Sequence, residues 1–436
     1  MHITRRQTLA SFVGALALAA SGIPAMSAEP GEFTNAKIDW KQFAGQDINI
    51  LLVRHPWQEA IEPLIPQFEE LTGIKVNLRK LPEPQFLAKV PADLTAGTFQ
   101  FDVFMTQIAQ NPQYDKKTWL SPVDVYMQDS KLTDPAWYDW NDFFPGAQSA
   151  ATIGGTPFYN LAITAEAQIL AYRKDVFETL GLSVPKTFDE LIATAATIKE
   201  KGGMDGITLR GGPTLWWPLL GAVESFGGTY LDADQKPALD TEGTIAGVQA
   251  YVDLAKSAPQ GVTNYDWDEI NTAMLSGQAA MFLDANVVYP RLKDPKLSGL
   301  ADKFGVAAYP AGPTGAHSDS HYWTISMANN AKNKEAAWLF MQWATSKPVQ
   351  RDLAIAGILA PRNSAWEGQA LVDALGADLL AAVKGSLSGA KLYPANEHWT
   401  ELADALRVEV QNALTGTKDV KQSMTDAQAR WVKILQ

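Results

Sequence analysis

Two tryptophans stand side by side in GGPTLWWPLLGAVESFGG, residues 211–228, between a glycine pair and a proline. On a helix or a strand, neighbouring side chains point in different directions. One of Trp216 and Trp217 can therefore face the core while the other faces something else. Flat aromatic faces cover C–H-rich surfaces and hold cations, and polar groups around them fix orientation. The chain is well supplied with such rings, carrying 14 Trp, 12 Tyr and 17 Phe. Catalytic signatures are missing: no nucleophile elbow, P-loop, H-E-x-x-H or G-x-G-x-x-G occurs. SVPK (183–186) fits an S-x-x-K spacing but stands in a loop before a capped helix, without the companion motifs. A glycosidase needs two facing carboxylates about 5–10 Å apart, and no aromatic-flanked acid pair suggests one. HSDSH (317–321) falls in a Gly/Pro-rich stretch read as a loop, where i,i+4 spacing does not bring imidazoles together. DADQK (232–236) and DWDE (266–269) lack the glycine and closing glutamate of a calcium loop; the first reads as a turn and the second as a helix start. The expectation is a binding protein, not an enzyme, with no metal and no cofactor.

The elements that must position these groups alternate along the chain. GQDINILLVRH (45–55) reads as a buried strand, followed by a helix through Ile61, Leu64, Ile65, Phe68 and Leu71 that Gly73 closes. Pro63 and Pro66 predict that this helix starts late or bends. IKVNLRKL, PQFLAKVPADLTAG and FDVFMT continue as strand, helix and strand. AQILAYRKDVF is a strand, and PKTFDELIATAATIKEKGG is a helix with Thr187 and Glu190 in a capping box and a glycine stop. GITLR is a further strand, and the paired tryptophans open the helix after it. NTAMLSGQAAMFLDAN, KFGVAAYPAGP, HYWTISMA and NKEAAWLFMQWATS follow as helix–strand, strand, strand and helix, before a helical C-terminal quarter. This alternation predicts an α/β fold with mostly parallel sheets. Trp338 and Trp343 share a helix with Ala337, Phe340 and Met341 and are expected in the core.

At 436 residues, 46% apolar and 19% charged, the chain has length for two or three domains. The first 28 residues read as a cleavable export signal: Arg5 and Arg6, the apolar run Leu9–Ala20, then small residues near Ser27 and Ala28. TRRQTL is similar to a twin-arginine signal, although Thr8 stands where Phe is common, which leaves the general secretory route open. Removing the signal moves the net charge from −12 to −14. So acidic a body, with no basic run, is a poor partner for nucleic acid or an anionic membrane. There is no cysteine, so disulfide and thiolate chemistry are excluded.

The order of motifs resembles the extracellular solute-binding proteins of ABC importers, in the sugar-binding family that includes the maltodextrin-binding proteins. PQFEELTGIKVNL and ILAYRKDVFETLGLSVPKTFDEL carry that resemblance most clearly, followed by LSGQAAMFLDAN, SMANNAKNKEAAWLFMQW and AGILAPRNSAW. It spans roughly residues 46–435. It implies a type II-like periplasmic binding protein fold: two α/β lobes with a ligand cleft and hinge between them. The first lobe would take 46–162 and 326–358, the second 163–322 and 359–436. It also implies a periplasmic monomer that closes over a sugar and delivers it to a membrane permease. Periplasmic binding proteins are a standing example of hinge closure.

By the same resemblance, Trp216 is expected to face ligand and Trp217 to pack inside its lobe, with both as packing residues the open alternative. Ligands in open α/β sheets bind beyond the carboxyl ends of strands, which adds His55, Trp57, Thr106, Gln107, Asp284 and Asn286. The segments beside the implied crossovers add Tyr159, Glu166, His321 and Trp323. PRNSAW adds Arg362, and LYPANEHW adds Tyr393, His398 and Trp399. The same fold with an amine ligand is the alternative; it needs an acidic aromatic cage, which Arg362 in the cleft would oppose. Iron is opposed by the lack of a Tyr-Tyr pair.

Overall fold

The computed structural model describes residues 28–152 and 157–436. The export signal with Arg5 and Arg6 lies outside the described residues. Ten strands are described: β1 (Asp47–Val53), β2 (Lys75–Leu81), β3 (Val103–Gln107), β4 (Asn160–Ala162), β5 (Glu166–Arg173), β6 (Met281–Ala285), β7 (Phe304–Ala308), β8 (Asp319–His321), β9 (Trp323–Met327) and β10 (Lys391–Leu392). One sheet has the order β2-β1-β3-β9-β4. The other runs β10-β8-β5-β6, with β7 also paired to β5. Each sheet anchors one α/β lobe.

Local chemistry places the boundaries. The apolar run of β1 is buried along nearly its whole length, whereas β2 at the sheet edge carries Lys75, Arg79 and Lys80 and is half-exposed. The prolines divide the segment after β1 into a helix Pro56–Ile61, a 3₁₀ turn Glu62–Leu64 and a helix Ile65–Thr72. Gly73 ends it at φ 71°, with the site of a β-carbon only 2.8 Å from the Ala44 side chain, so only glycine fits. Thr187 accepts from the Glu190 N–H at 3.2 Å, while the Glu190 carboxylate accepts from the Lys186 N–H at 2.7 Å, so only half of the expected box forms. Asp266 caps the helix Trp267–Leu275 in a complete box with Glu269. Trp338 and Trp343 are fully buried. The first core also takes in Phe33, Ala36 and Trp40, upstream of residue 46.

The sheets are not mostly parallel, which corrects the expectation. β1 pairs parallel with β2 and β3, but β9 runs antiparallel to both β3 and β4. In the second sheet β5 is antiparallel to β6, β7 and β8. The reason is that β5 and β9 are crossing strands. Each begins where the chain has just left the other sheet, and so runs against the strands that end there. GITLR forms only an isolated bridge beside β6, at Thr208, and Asp319–His321 of HSDSH is strand rather than loop. A third crossing lies near residue 359, where the Ala165 N–H donates to the Leu359 carbonyl at 2.8 Å. The consequence for function is geometric: the ends of β1, β3, β6 and β8 and the starts of β5 and β9 all face one inter-lobe space.

Candidate functional site

That space is a small cavity walled by both lobes. From the first lobe come His55 beyond β1, Glu83 beyond β2, Gln107 at the end of β3 and Trp323 at the start of β9. The second lobe supplies Glu166 at the start of β5, His321 at the end of β8, and Arg210, Thr214, Trp216, Trp217 and Trp267. The lobes touch across it. His55 Nδ1 accepts from the Trp57 N–H at 3.0 Å, which leaves Nε2 to carry the hydrogen toward Glu166 Oε1 at 3.2 Å. The Trp267 ring lies nearly parallel to His55, with centroids 6.4 Å apart.

Arg210 organises the second-lobe wall. Its Nε and Nη2 donate to the two oxygens of Asp284 at 2.9 and 2.7 Å, a bidentate pair. Nη1 donates to Thr214 Oγ1 at 2.7 Å, and Thr214 in turn donates to Asp266. The guanidinium carbon sits 5.3 Å from the Trp217 ring centre and 5.4 Å from that of Trp267. Burial opposes the charge, but Asp284, Glu83 and Asp266 hold Arg210 firmly protonated. Burial also raises the Asp284 carboxyl, against the pull of Arg210. Glu83 is pushed up to about 8, chiefly by desolvation, with Arg210 opposing and the neighbouring acids reinforcing. Burial would raise Glu166 as well, but its contact with His55 holds it below its ordinary value. His321 is driven down to about 4 by burial and is neutral at pH 7.

Of the residues expected at the ligand, His55, Gln107, Glu166, Trp216, His321 and Trp323 line this cavity. Others stand behind it. Tyr393 stacks on His321 at 5.4 Å and meets Trp216 edge-on at 5.1 Å, Trp399 backs Trp216 at 5.0 Å, and Asp284 fixes Arg210. The rest are corrections. Trp57 is fully buried in the first lobe's core, because the helix it opens turns inward. Thr106 bonds Thr324 and Ser326 across the sheet, each at 2.6 Å. Asn286 Oδ1 accepts from the Ala167 N–H at 2.8 Å, tying β6 to β5. Tyr159 points toward Asp115, away from the cavity. Arg362 is completely buried, donating to the carbonyls of Thr345, Asp139 and Tyr138 and pairing with Asp142, so it clasps the third crossing. His398 stays partly exposed beside Glu397 and Glu401.

Trp217 is buried in its lobe's core as expected, but Trp216 is equally buried there, and both rings also line the cavity. Both residues sit in the first turn of the helix Trp216–Ser225, and a helix that meets a cavity with its start presents consecutive side chains there. Glu83, Thr214, Arg210 and Trp267 are the lining residues that sequence reasoning passed over. Arg210 ends the GITLR segment, so the strand-end rule applied there would have found it. Trp267 follows the Asp266 cap directly; Glu83 and Thr214 carry no such signal.

The family model described as bacterial extracellular solute-binding protein matches residues 55–351. An erythritol/L-threitol-binding protein of Mycolicibacterium smegmatis is 31% identical over 394 residues, covering 82% of this chain and 81% of its own. Among solved structures, a solute-binding protein of Agrobacterium vitis with bound D-mannitol superposes with a TM-score of 0.76. It is 27% identical and covers 88% of this chain and 97% of its own. Maltose-bound MalE3 of T. maritima gives a TM-score of 0.81 at 24% identity, covering 90% of this chain and 100% of its own; it speaks for the fold alone. With its two lobes, three crossings and shared cavity, this chain belongs to the bacterial extracellular solute-binding protein family.

Proposed function

We propose that the protein is the receptor of an ABC import system. It captures a carbohydrate between its lobes and presents the closed form to a membrane permease. One observation carries this reading: tryptophan faces and hydroxyl-binding groups line the same small cavity, and both lobes contribute them. C–H patches of a polyhydroxylated chain or ring cover aromatic faces, while its hydroxyls need the carboxyl, amide, guanidinium and imidazole groups at the rim. The relative named for erythritol and L-threitol and the solved structure holding D-mannitol favour an alditol or monosaccharide over an oligosaccharide. Closure draws its free energy from ligand contacts that exist only when both walls are present.

The amine reading has a specific difficulty. The acidic aromatic cage it requires is already occupied, since Arg210 lies over Trp217 and Trp267 against Asp284. The protein acts as a periplasmic monomer without turnover, and export uses the leader bearing Arg5 and Arg6. Among the described residues, no helix is long and apolar enough to cross a membrane. Thermal melts against erythritol, ribitol, mannitol, monosaccharides, maltose and putrescine test the reading. Ligand at 100 times its dissociation constant adds about 2.7 kcal/mol of stability, so an alditol or monosaccharide should raise the melting temperature measurably. A shift with putrescine and with none of the sugars or alditols would overturn it.

A further inference from the structure

We propose that Glu83 couples ligand capture to a proton: closing the lobes protonates its carboxyl, so affinity for an uncharged solute falls as pH rises. The proposal rests on the receptor reading above and concerns the same cavity.

Glu83 opens the helix Glu83–Thr95 just after β2 and is the first lobe's carboxyl at the cavity. Its side chain keeps 13% of its exposure, and one oxygen accepts from Gln107 Nε2 at 3.3 Å. The other oxygen reaches Arg210 Nη1 only at 4.0 Å, beyond hydrogen-bond range. Arg210 gives three of its five N–H groups to Asp284 and Thr214, and Asp266, 3.6 Å from Nη1, shares its charge as well. Every other second-lobe group facing Glu83 is acidic or neutral. Asp266 caps its helix, Asp284 ends β6, and Glu166 at the start of β5 already engages His55 from beyond β1. His321 at the end of β8 contributes no charge at neutral pH. An ionised Glu83 in the closed lobes is therefore a buried anion short of a partner, and the cavity pushes its carboxyl up to about 8.

The desolvating wall and all three opposing acids belong to the second lobe. When the lobes part, water replaces that wall, and Glu83 keeps only uncharged Gln107 beside it. The carboxyl then returns toward its ordinary value near 4.5. A group whose value is higher in the closed form favours closing at low pH. It weakens closing as pH climbs from the ordinary carboxylate range toward about 8. The protonated carboxyl can also donate to a ligand hydroxyl, so the neutral form serves an alditol as well as an ionised one would.

The test is calorimetric titration of the protein with the tightest binder among erythritol, ribitol and mannitol, at pH 5.5, 6.5 and 7.5, in two buffers of different ionisation enthalpy. Affinity should fall about tenfold per pH unit, with about one proton taken up per ligand. Glu83→Gln should flatten both. The proton count on the unmodified protein stands even if that variant fails to fold. A change below threefold across the range, no proton uptake, or the full slope persisting in Glu83→Gln would overturn the proposal while leaving the receptor reading intact. Binding of no alditol or sugar at any pH would sink the receptor reading, and this proposal with it.

Discussion

Replacing Arg210 by leucine separates what the guanidinium does for folding from what it does for the ligand. Arg210 and Asp284 are both buried, and the carboxylate is wholly inaccessible. Arg210→Leu removes two hydrogen bonds of 2.9 and 2.7 Å from Asp284 and a third of 2.7 Å from Thr214. Stranding one member of such a pair costs about 3–5 kcal/mol, whereas replacing both members by apolar side chains is often close to neutral. Arg210→Leu should therefore lose about 3–5 kcal/mol in urea unfolding followed by tryptophan fluorescence, and Arg210→Leu/Asp284→Leu should recover most of it. The deficit carries a pH signature. Arg210 is the group that holds the raised Asp284 carboxyl down; without it the folded-state value rises further. The single variant's deficit should then shrink toward pH 4, where Asp284 is protonated, and grow toward pH 8. Neither variant should bind ligand, because the cavity wall is gone in both. A deficit below about 1 kcal/mol, or one that ignores pH, would refute the account of Arg210 as the wall's electrostatic centre.

Other outcomes follow from the same geometry. Trp267→Ala should weaken ligand binding by about 1–3 kcal/mol, roughly 5- to 150-fold by calorimetry, with little loss of stability, since the ring is only half-buried. Trp216→Ala should weaken binding too, and should also cost about 3–5 kcal/mol of stability, because Tyr393 and Trp399 pack on that ring. Asp319 is fully buried on β8 with no side-chain partner for its carboxyl, and burial drives it well above its ordinary value. Stability is then lost as pH rises above about 4, so Asp319→Asn should melt higher than the parent at pH 7 and show a flatter pH dependence. Replacing Arg5 and Arg6 by lysine should hold the precursor in the cytoplasm if export is by the twin-arginine route; undiminished export would leave the general secretory route.

Much of the local structure was legible because single residues dictate it. Gly73 stops a helix, Pro63 and Pro66 divide one, and Thr187 and Asp266 start two more. Strand direction was not legible, since β5 and β9 have the apolar character of any buried strand and nothing local records that they arrive from the other lobe. The strand-end rule led to His55 and Gln107 because those residues close or follow buried strands, whereas Glu166 came from its place beside an implied crossover. It misled at Trp57 and Thr106, where the next side chain along turns into the core or the sheet. Arg362 shows the limit most plainly. A guanidinium after a crossing reads the same whether it meets ligand or clasps three backbone carbonyls, and only the fold decides. Glu83 lies beyond a half-exposed edge strand in which Val76 and Leu78 alternate with polar residues, so its place in the cavity depends on how the lobes meet.

A crystal structure grown with the tightest-binding alditol tests the central claim most directly. The account predicts the ligand in the inter-lobe cavity, with hydroxyls bonded to Gln107 or Glu83 from one lobe and to Arg210 or Glu166 from the other, and its C–H faces against Trp216, Trp217 or Trp323. Ligand touching one lobe only, or lodged in the outer groove between Pro56, Arg291 and Leu379, would contradict it.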